Sequence, residues 1–225
     1  ASRRSVGQPD VFVHRQFPRA VDGSASRMAA SAEGSKPLHT RVSWPMNRHL
    51  SEAFANLDAA RKDLRAAVDA VPEQRRGERP ARDRWSVNEI LEHLSLVEGR
   101  FAAIIALRIG EAREAGLGPE QRFREPLPTG LRQMLNDRAN RRNAPDAVQP
   151  RGGVGDRAGW AELERIRGVL RATVEAADGL ALSTVTHQHP VFGTLSVYQL
   201  MDFIAGHEMR HARQIRGIAD ALRVP

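Results

Sequence analysis

The chain has 225 residues, a formal net charge of +7 and no cysteine. That length suits one good core or two small ones, and the missing cysteines exclude a disulfide framework, a cysteine-ligated zinc ribbon, an iron–sulfur cluster and a cysteine nucleophile. No apolar run approaches the roughly 20 residues that span a bilayer, so no membrane partner is expected.

The charge is unevenly spread. Residues 1–45 carry Arg3, Arg4, Arg15, Arg19, Arg27, Lys36 and Arg41 against Asp10, Asp22 and Glu33, so more than half of the excess sits there. The rest of the chain is close to balanced, which removes most of the electrostatic case for nucleic-acid binding by the body of the protein. The same 45 residues have no sustained apolar period and are rich in Ser, Gly and Arg, as in Gly23-Ser24-Ala25-Ser26-Arg27. They read as a disordered basic tail, with an organelle transit peptide as the alternative. The domain expected to fold is 46–225.

Helical periodicity starts with Leu50, Phe54, Leu57, Leu64, Val68 and Val71, a stripe ended by Pro72. Arg61 interrupts that register, with Ala60 beside it to fill the gap. The second helix opens on Ser86-Val87-Asn88-Glu89, the spacing of a capping box, with Trp85 and Ile90 placed for a hydrophobic staple. Ile90, Leu94, Val97, Phe101 and Ile104 continue it to about Ala115, before Gly116, Gly118 and Pro119. Residues 117–155 form a long connection with five prolines and room for a short helix near Leu131–Leu135. A connection of that length is either a wall of a site or a crossover between helices that are not antiparallel neighbours. Trp160, Leu163, Ile166, Leu170, Val174 and Ala177 mark the third helix, which stops at Asp178-Gly179. Residues 180–193 read as loop or short extended chain. Ser196 and Gln199 then repeat the capping box, with Leu195 and Leu200 as the staple, and a fourth helix runs through Ile204, Ile215, Ile218 and Leu222. Four long amphipathic helices without convincing strands predict an all-α protein: a four-helix bundle with a long connection between helices 2 and 3.

The last stripe holds the anomaly. With Leu200 at 0° on a wheel of about 100° per residue, His207 falls near 340° and His211 near 20°, at the centre of the buried face. A buried imidazole must find partners for its ring nitrogens, and two at i and i+4 can hold one ion. His93 flanks the apolar stripe of the second helix and makes a third candidate. Three protein ligands and an open position are the pattern of a catalytic metal site. Three neutral nitrogens suit zinc or nickel, and sequence does not choose between them.

His207-Glu208-Met209-Arg210-His211 also matches the HExxH pattern of zinc proteases. A third downstream ligand is missing, however, since Gln214 and Gly217 stand where the extended pattern needs Gly and His. Glu208, near 80° at the edge of the stripe, is the one candidate catalytic base, against the plainer reading of a solvated helix glutamate. His187 and His189 precede the fourth helix, and the ligands lie about 16 Å further along it, so neither is expected on the metal. Arg210, Arg213 and Arg216 fall off the stripe, where a solvated face is the default. For His93 and His211 to come level, helices 2 and 4 must pack antiparallel, with the metal nearer the end formed by residues 72–85 and the C-terminus.

The stretch from Trp85 to Leu94, Trp-Ser-Val-Asn-Glu-Ile-Leu-Glu-His-Leu, resembles the opening motif of the DinB-like superfamily, which includes YfiT-like proteins described as metal-dependent hydrolases. His189-Pro190-Val191-Phe192-Gly193, leading to His207 and His211, is similar to that group's second motif. The resemblance covers roughly residues 46–222. It implies a four-helix bundle with a divalent metal on His93, His207 and His211. It also implies either transfer of a low-molecular-weight thiol to an electrophile or hydrolysis of a small molecule. The tail and the proline-rich connection depart from the compact family pattern, so no substrate carries over. A non-catalytic bundle binding a metal or small ligand is the alternative, and an Arg-rich nucleic-acid binder acting through the tail is a third. The expected partner is a small-molecule substrate, with a homodimer left open; the expected location is cytoplasmic.

Overall fold

The computed structural model describes residues 46–137 and 143–222; the expected tail at 1–45 lies outside them. Five α-helices follow in order: α1 (Arg48–Asp69), α2 (Val87–Glu114), α3 (Thr129–Asn136), α4 (Asp156–Glu175) and α5 (Val197–Leu222). α1, α2, α4 and α5 are the four long helices of the bundle, and α3 is the short helix expected within the connection. The local start signals operate as expected. Ser86 Oγ accepts from the Glu89 amide while the Glu89 carboxylate accepts from the Ser86 amide at 2.9 Å. Ser196 and Gln199 repeat the exchange at the head of α5.

Pairwise contacts give the direction of each helix. Asn56 meets Asp202 and Arg61 meets Glu208, so α1 and α5 run parallel. Gly159 lies against Leu91 and Ile166 against Gly99, so α2 and α4 also run parallel. His93 faces His211 while Phe101 faces Phe203, so α2 and α5 are antiparallel, as the sequence requires. Adjacent parallel helices cannot be joined by a tight turn, and residues 115–155 must travel back along the bundle between α2 and α4. The crossover reading of this connection is therefore correct.

The connection is also a wall. α3 seats Leu135 against α5 at Gly206, where a Cβ would come within 2.8 Å of the Leu135 side chain. Arg210 donates to the carbonyls of Met134 and Asp137, and Arg213 to those of Leu135 and, through its side chain, Asn136. Arg216 pairs with Asp63 of α1. Arg210 and Arg213 bind the connection to α5 and leave the expected solvated face, whereas Arg216 stays on it, exposed and paired with Asp63.

Residues 186–196 correct the expectation of no strands. Thr186–His189 (β1) pairs antiparallel with Gly193–Ser196 (β2). The three-residue loop between them closes at Gly193, whose φ of 73° suits the left-handed end of such a turn. The strands are four residues each and largely polar, so they carry no alternating apolar signal.

The buried apolar residues fall into two clusters. One holds Leu50–Ala60 of α1, Val97–Ile109 of α2, Ile166–Val174 of α4 and Val197–Ala205 of α5. The other holds Leu64–Val71, Val87–Leu94, Leu163 and Ala212–Ala219. Between them lies a layer of buried polar side chains: Arg61, His93, Glu98, Arg167, Glu208 and His211, with His207 partly buried.

Candidate metal centre

Two antiparallel helices bring the three histidines together. His93 projects from α2, and His207 and His211 from successive turns of α5. Nε2 of His207 lies 3.4 Å from Nε2 of His93 and 3.2 Å from Nε2 of His211. The three potential ligand atoms all lie within 4.8 Å of one another.

The hydrogen bonds on the far sides of the rings decide what those nitrogens offer. The Val148 carbonyl, 2.7 Å from Nδ1 of His93, can only accept, so Nδ1 carries the proton and Nε2 presents a lone pair. Nδ1 of His211 likewise donates to Oε1 of Gln214 at 2.9 Å. Two lone pairs thus face His207, which has at most one proton for both when neutral. A cation resolves that conflict. Ligands about 2.0–2.1 Å from a tetrahedral zinc are about 3.3 Å apart, which the 3.4 Å and 3.2 Å edges to His207 match.

Electrostatics favours the ligand form of each ring. Burial, then the neighbouring His93 and Arg210, lowers His207 to about 3; its depth in the bundle outweighs the small surface it keeps. Burial, then His207 and His93, holds His211 well below the usual histidine range. Burial lowers His93 against the opposing pull of its Val148 bond. All three are neutral at pH 7, the state that binds a metal. Among the described residues this cluster includes no carboxylate.

Aromatic rings close round the site. Trp85 lies 4.9 Å from the His93 ring and 6.5 Å from that of His211, and Phe203 stacks on His207 at 5.8 Å. In the sequence Trp85 was legible as a staple and as the start of the opening motif, but not as a wall of the site. The Gln214 bond follows the i, i+3 spacing and could have been read from it; the Val148 carbonyl has no sequence signal.

Glu208 is not solvated. Its side chain is 1% exposed and accepts from Nε of Arg61 at 2.8 Å, with Arg167 at 3.2 Å. Burial pushes its carboxyl up, against the pull of Arg167 and Arg61. Glu98 completes the group by accepting from Arg61 at 2.9 Å and Arg167 at 2.5 Å. Arg61, the break in the first apolar stripe, is itself buried, with Trp160 5.7 Å from its guanidinium. Neither His187 nor His189 joins the metal-capable cluster. His189 stacks on Phe101 and Phe192, two turns along α2 from His93, and its Nδ1 accepts from the Val191 and Phe192 amides.

The fold and site define a four-helix bundle with a three-histidine cluster able to hold a metal ion between antiparallel helices. The chain belongs to the DinB superfamily, whose profile matches residues 56–215. It is 27% identical over 167 residues to the uncharacterized protein YuaE of Bacillus subtilis (strain 168), covering 72% of this chain and 94% of that one. The structure of TT2238, described as a four-helix bundle protein, matches at a TM-score of 0.46 and 20% identity, over 75% of this chain and 98% of that one. No helix among the described residues is long and apolar enough to cross a membrane.

Proposed function

We propose that the chain is a metal-dependent enzyme that transfers a low-molecular-weight thiol to an electrophilic small molecule. His93, His207 and His211 hold the divalent ion. The observation that carries this reading is the meeting of three ring nitrogens, two of them fixed as lone-pair donors, in a cluster without a carboxylate. Bound there, a divalent ion supplies undiminished Lewis acidity, enough to keep a thiol as its thiolate near neutral pH.

The chain's own residues set the rest. Neutral imidazoles leave the charge for an incoming anion to balance. Trp85 and Phe203 limit water around the rings, which strengthens that attraction. The chain has no cysteine, so the thiol arrives as a cosubstrate. Glu208, the base a hydrolytic route would call on, is engaged by Arg61 and Arg167, which supports the thiol route over hydrolysis.

The test is an assay of zinc- and nickel-loaded protein on electrophilic substrates with and without glutathione, bacillithiol or mycothiol. Thiol-dependent loss of the electrophile, abolished in His207→Ala, is expected. Thiol-independent ester or amide hydrolysis that collapses in Glu208→Gln overturns the reading in favour of a hydrolase. Metal binding without turnover of any substrate overturns it in favour of a non-catalytic metal-binding bundle.

A further inference from the structure

Glu92 and His93, neighbours on α2, grip one segment of the long connection. Nδ1 of His93 donates to the Val148 carbonyl, and the two Glu92 carboxylate oxygens accept from the Arg151 and Gly152 amides, each at 3.0 Å. The residues from 148 to 152 are thus tied to α2 at both ends. Val148 closes a single 3-10 turn (Asp146–Val148) and belongs to no long helix that could hold its carbonyl in place. At the other end Gly152 and Gly153 have φ of 80° and 86°. Left-handed glycines turn the backbone so that consecutive N–H groups converge on one anion. Bonds from backbone N–H to an ionised carboxylate are among the stronger kinds, so Glu92 is a firm anchor.

We propose that Glu92 is a positioning residue for the three-histidine site. By clamping Arg151 and Gly152 it keeps the Val148 carbonyl on Nδ1 of His93, which holds the ring proton there and leaves Nε2 as the donor atom. A neutral imidazole freed from that carbonyl populates both tautomers, and the form with a proton on Nε2 cannot ligate through it. The inference rests on the metal-binding reading above, although the tautomer of His93 belongs to the protein with or without an ion.

The experiment compares the full chain with Glu92→Ala, Glu92→Gln and the distant surface variant Glu111→Ala. In metal-free protein the ¹⁵N shifts of the His93 ring report its tautomer, and amide exchange reports the Arg151 and Gly152 bonds. The expected result is an Nδ1–H ring in the wild type and in Glu111→Ala. Glu92→Ala is expected to give a mixture of tautomers, faster exchange at both amides and about tenfold weaker zinc binding, the low end for loss of an outer partner. Glu92→Gln keeps one acceptor oxygen and falls between, and it decides the matter if the alanine variant does not fold. An unchanged His93 tautomer with zinc affinity within about twofold of wild type overturns the proposal. If the wild type binds no zinc, the metal reading fails while the tautomer measurement still decides the role of Glu92.

Discussion

On one side of the bundle's polar layer Arg61, Glu98, Arg167 and Glu208 are buried together; on the other are His93, His207 and His211. Both groups interrupt the same apolar core. The first is held by its own ion pairs, since two buried guanidiniums meet two buried carboxylates, Arg61 also reaches the half-exposed Glu164, and Arg167 spends a further N–H on the Leu57 carbonyl at 3.1 Å, while Oε2 of Glu208 has only its ion pair with Arg167. The second is neutral and internally mismatched, because the fixed His93 and His211 rings both present acceptors toward His207. A buried ion-pair network stabilises only while it is complete. A cluster left with surplus lone pairs signals a ligand. The difference separates the part of the layer that holds the helices from the part available for chemistry, although Glu208 sits next to His207 in the chain.

The largest break comes on the charged side. Arg167→Ala leaves Glu98 and Glu208 short of a partner and should cost about 3–5 kcal/mol in urea unfolding. Folded protein should still take up one zinc per chain, because the bonds of Arg167, on α4, run to Glu98, Glu208 and the Leu57 carbonyl. Replacing an opposite-charged pair, Arg61→Met with Glu208→Leu, should recover much of the loss caused by Arg61→Met alone. Loss of zinc stoichiometry in folded Arg167→Ala would show that the two halves are one unit.

The histidine side should respond to metal in the opposite sense. Zinc at a free concentration of 100 times its dissociation constant should stabilise the wild type by about 2.7 kcal/mol. His207→Ala and His211→Ala should lose both that gain and the metal by elemental analysis. Full metal retention in both variants contradicts the three-histidine site.

The parts of this layer were unequally legible. Helix starts at Ser86 and Ser196 depend on neighbours three residues away, so the sequence carries them whole. The histidines stood out because imidazoles at i and i+4 on an apolar face are chemically odd. Arg61 was visible as an irregularity and Glu208 only as a candidate base or a solvated glutamate, because periodicity reports a face and not a partner. Arg61 needed Glu98 of α2, and Glu208 needed Arg167 of α4, to make burial tolerable. The same limit hid the hairpin, whose polar strands are defined by pairing, and the Val148 carbonyl, since every residue has one.

Acidification should separate the halves further. The three histidines have folded pKa values below the unfolded value near 6.5, with His207 at about 3. The unfolded chain therefore binds more protons between those values. Stability is fully present above about pH 6.5 and declines as pH falls through that window, by at most about 1.4 kcal/mol per pH unit for each histidine. Urea unfolding of metal-free protein from pH 8 to pH 4 checks the slope, and His211→Ala should make it shallower. An unchanged slope in that variant would mean that buried neutral imidazoles are not its source.

The smallest effect tests whether site geometry comes from contacts between helices or from helix ends. Ser86 caps α2 seven residues before His93, and its side chain accepts from the Glu89 amide. Ser86→Ala should cost about 1 kcal/mol of stability, the usual value for losing a cap. The Glu89 carboxylate still has Arg79 as a partner, so the first turn is not left without a tie. His93 is meanwhile held by the Val148 carbonyl, and its ring packs against Trp85 and the two other histidines. Those contacts survive a frayed first turn, so zinc affinity should stay within about twofold of wild type, whereas Glu92→Ala, which removes no cap, should weaken it about tenfold. Calorimetric zinc titration of the two variants side by side reads the contrast. Equal losses of affinity would mean that the end of α2, and not the strap across it, sets the position of His93.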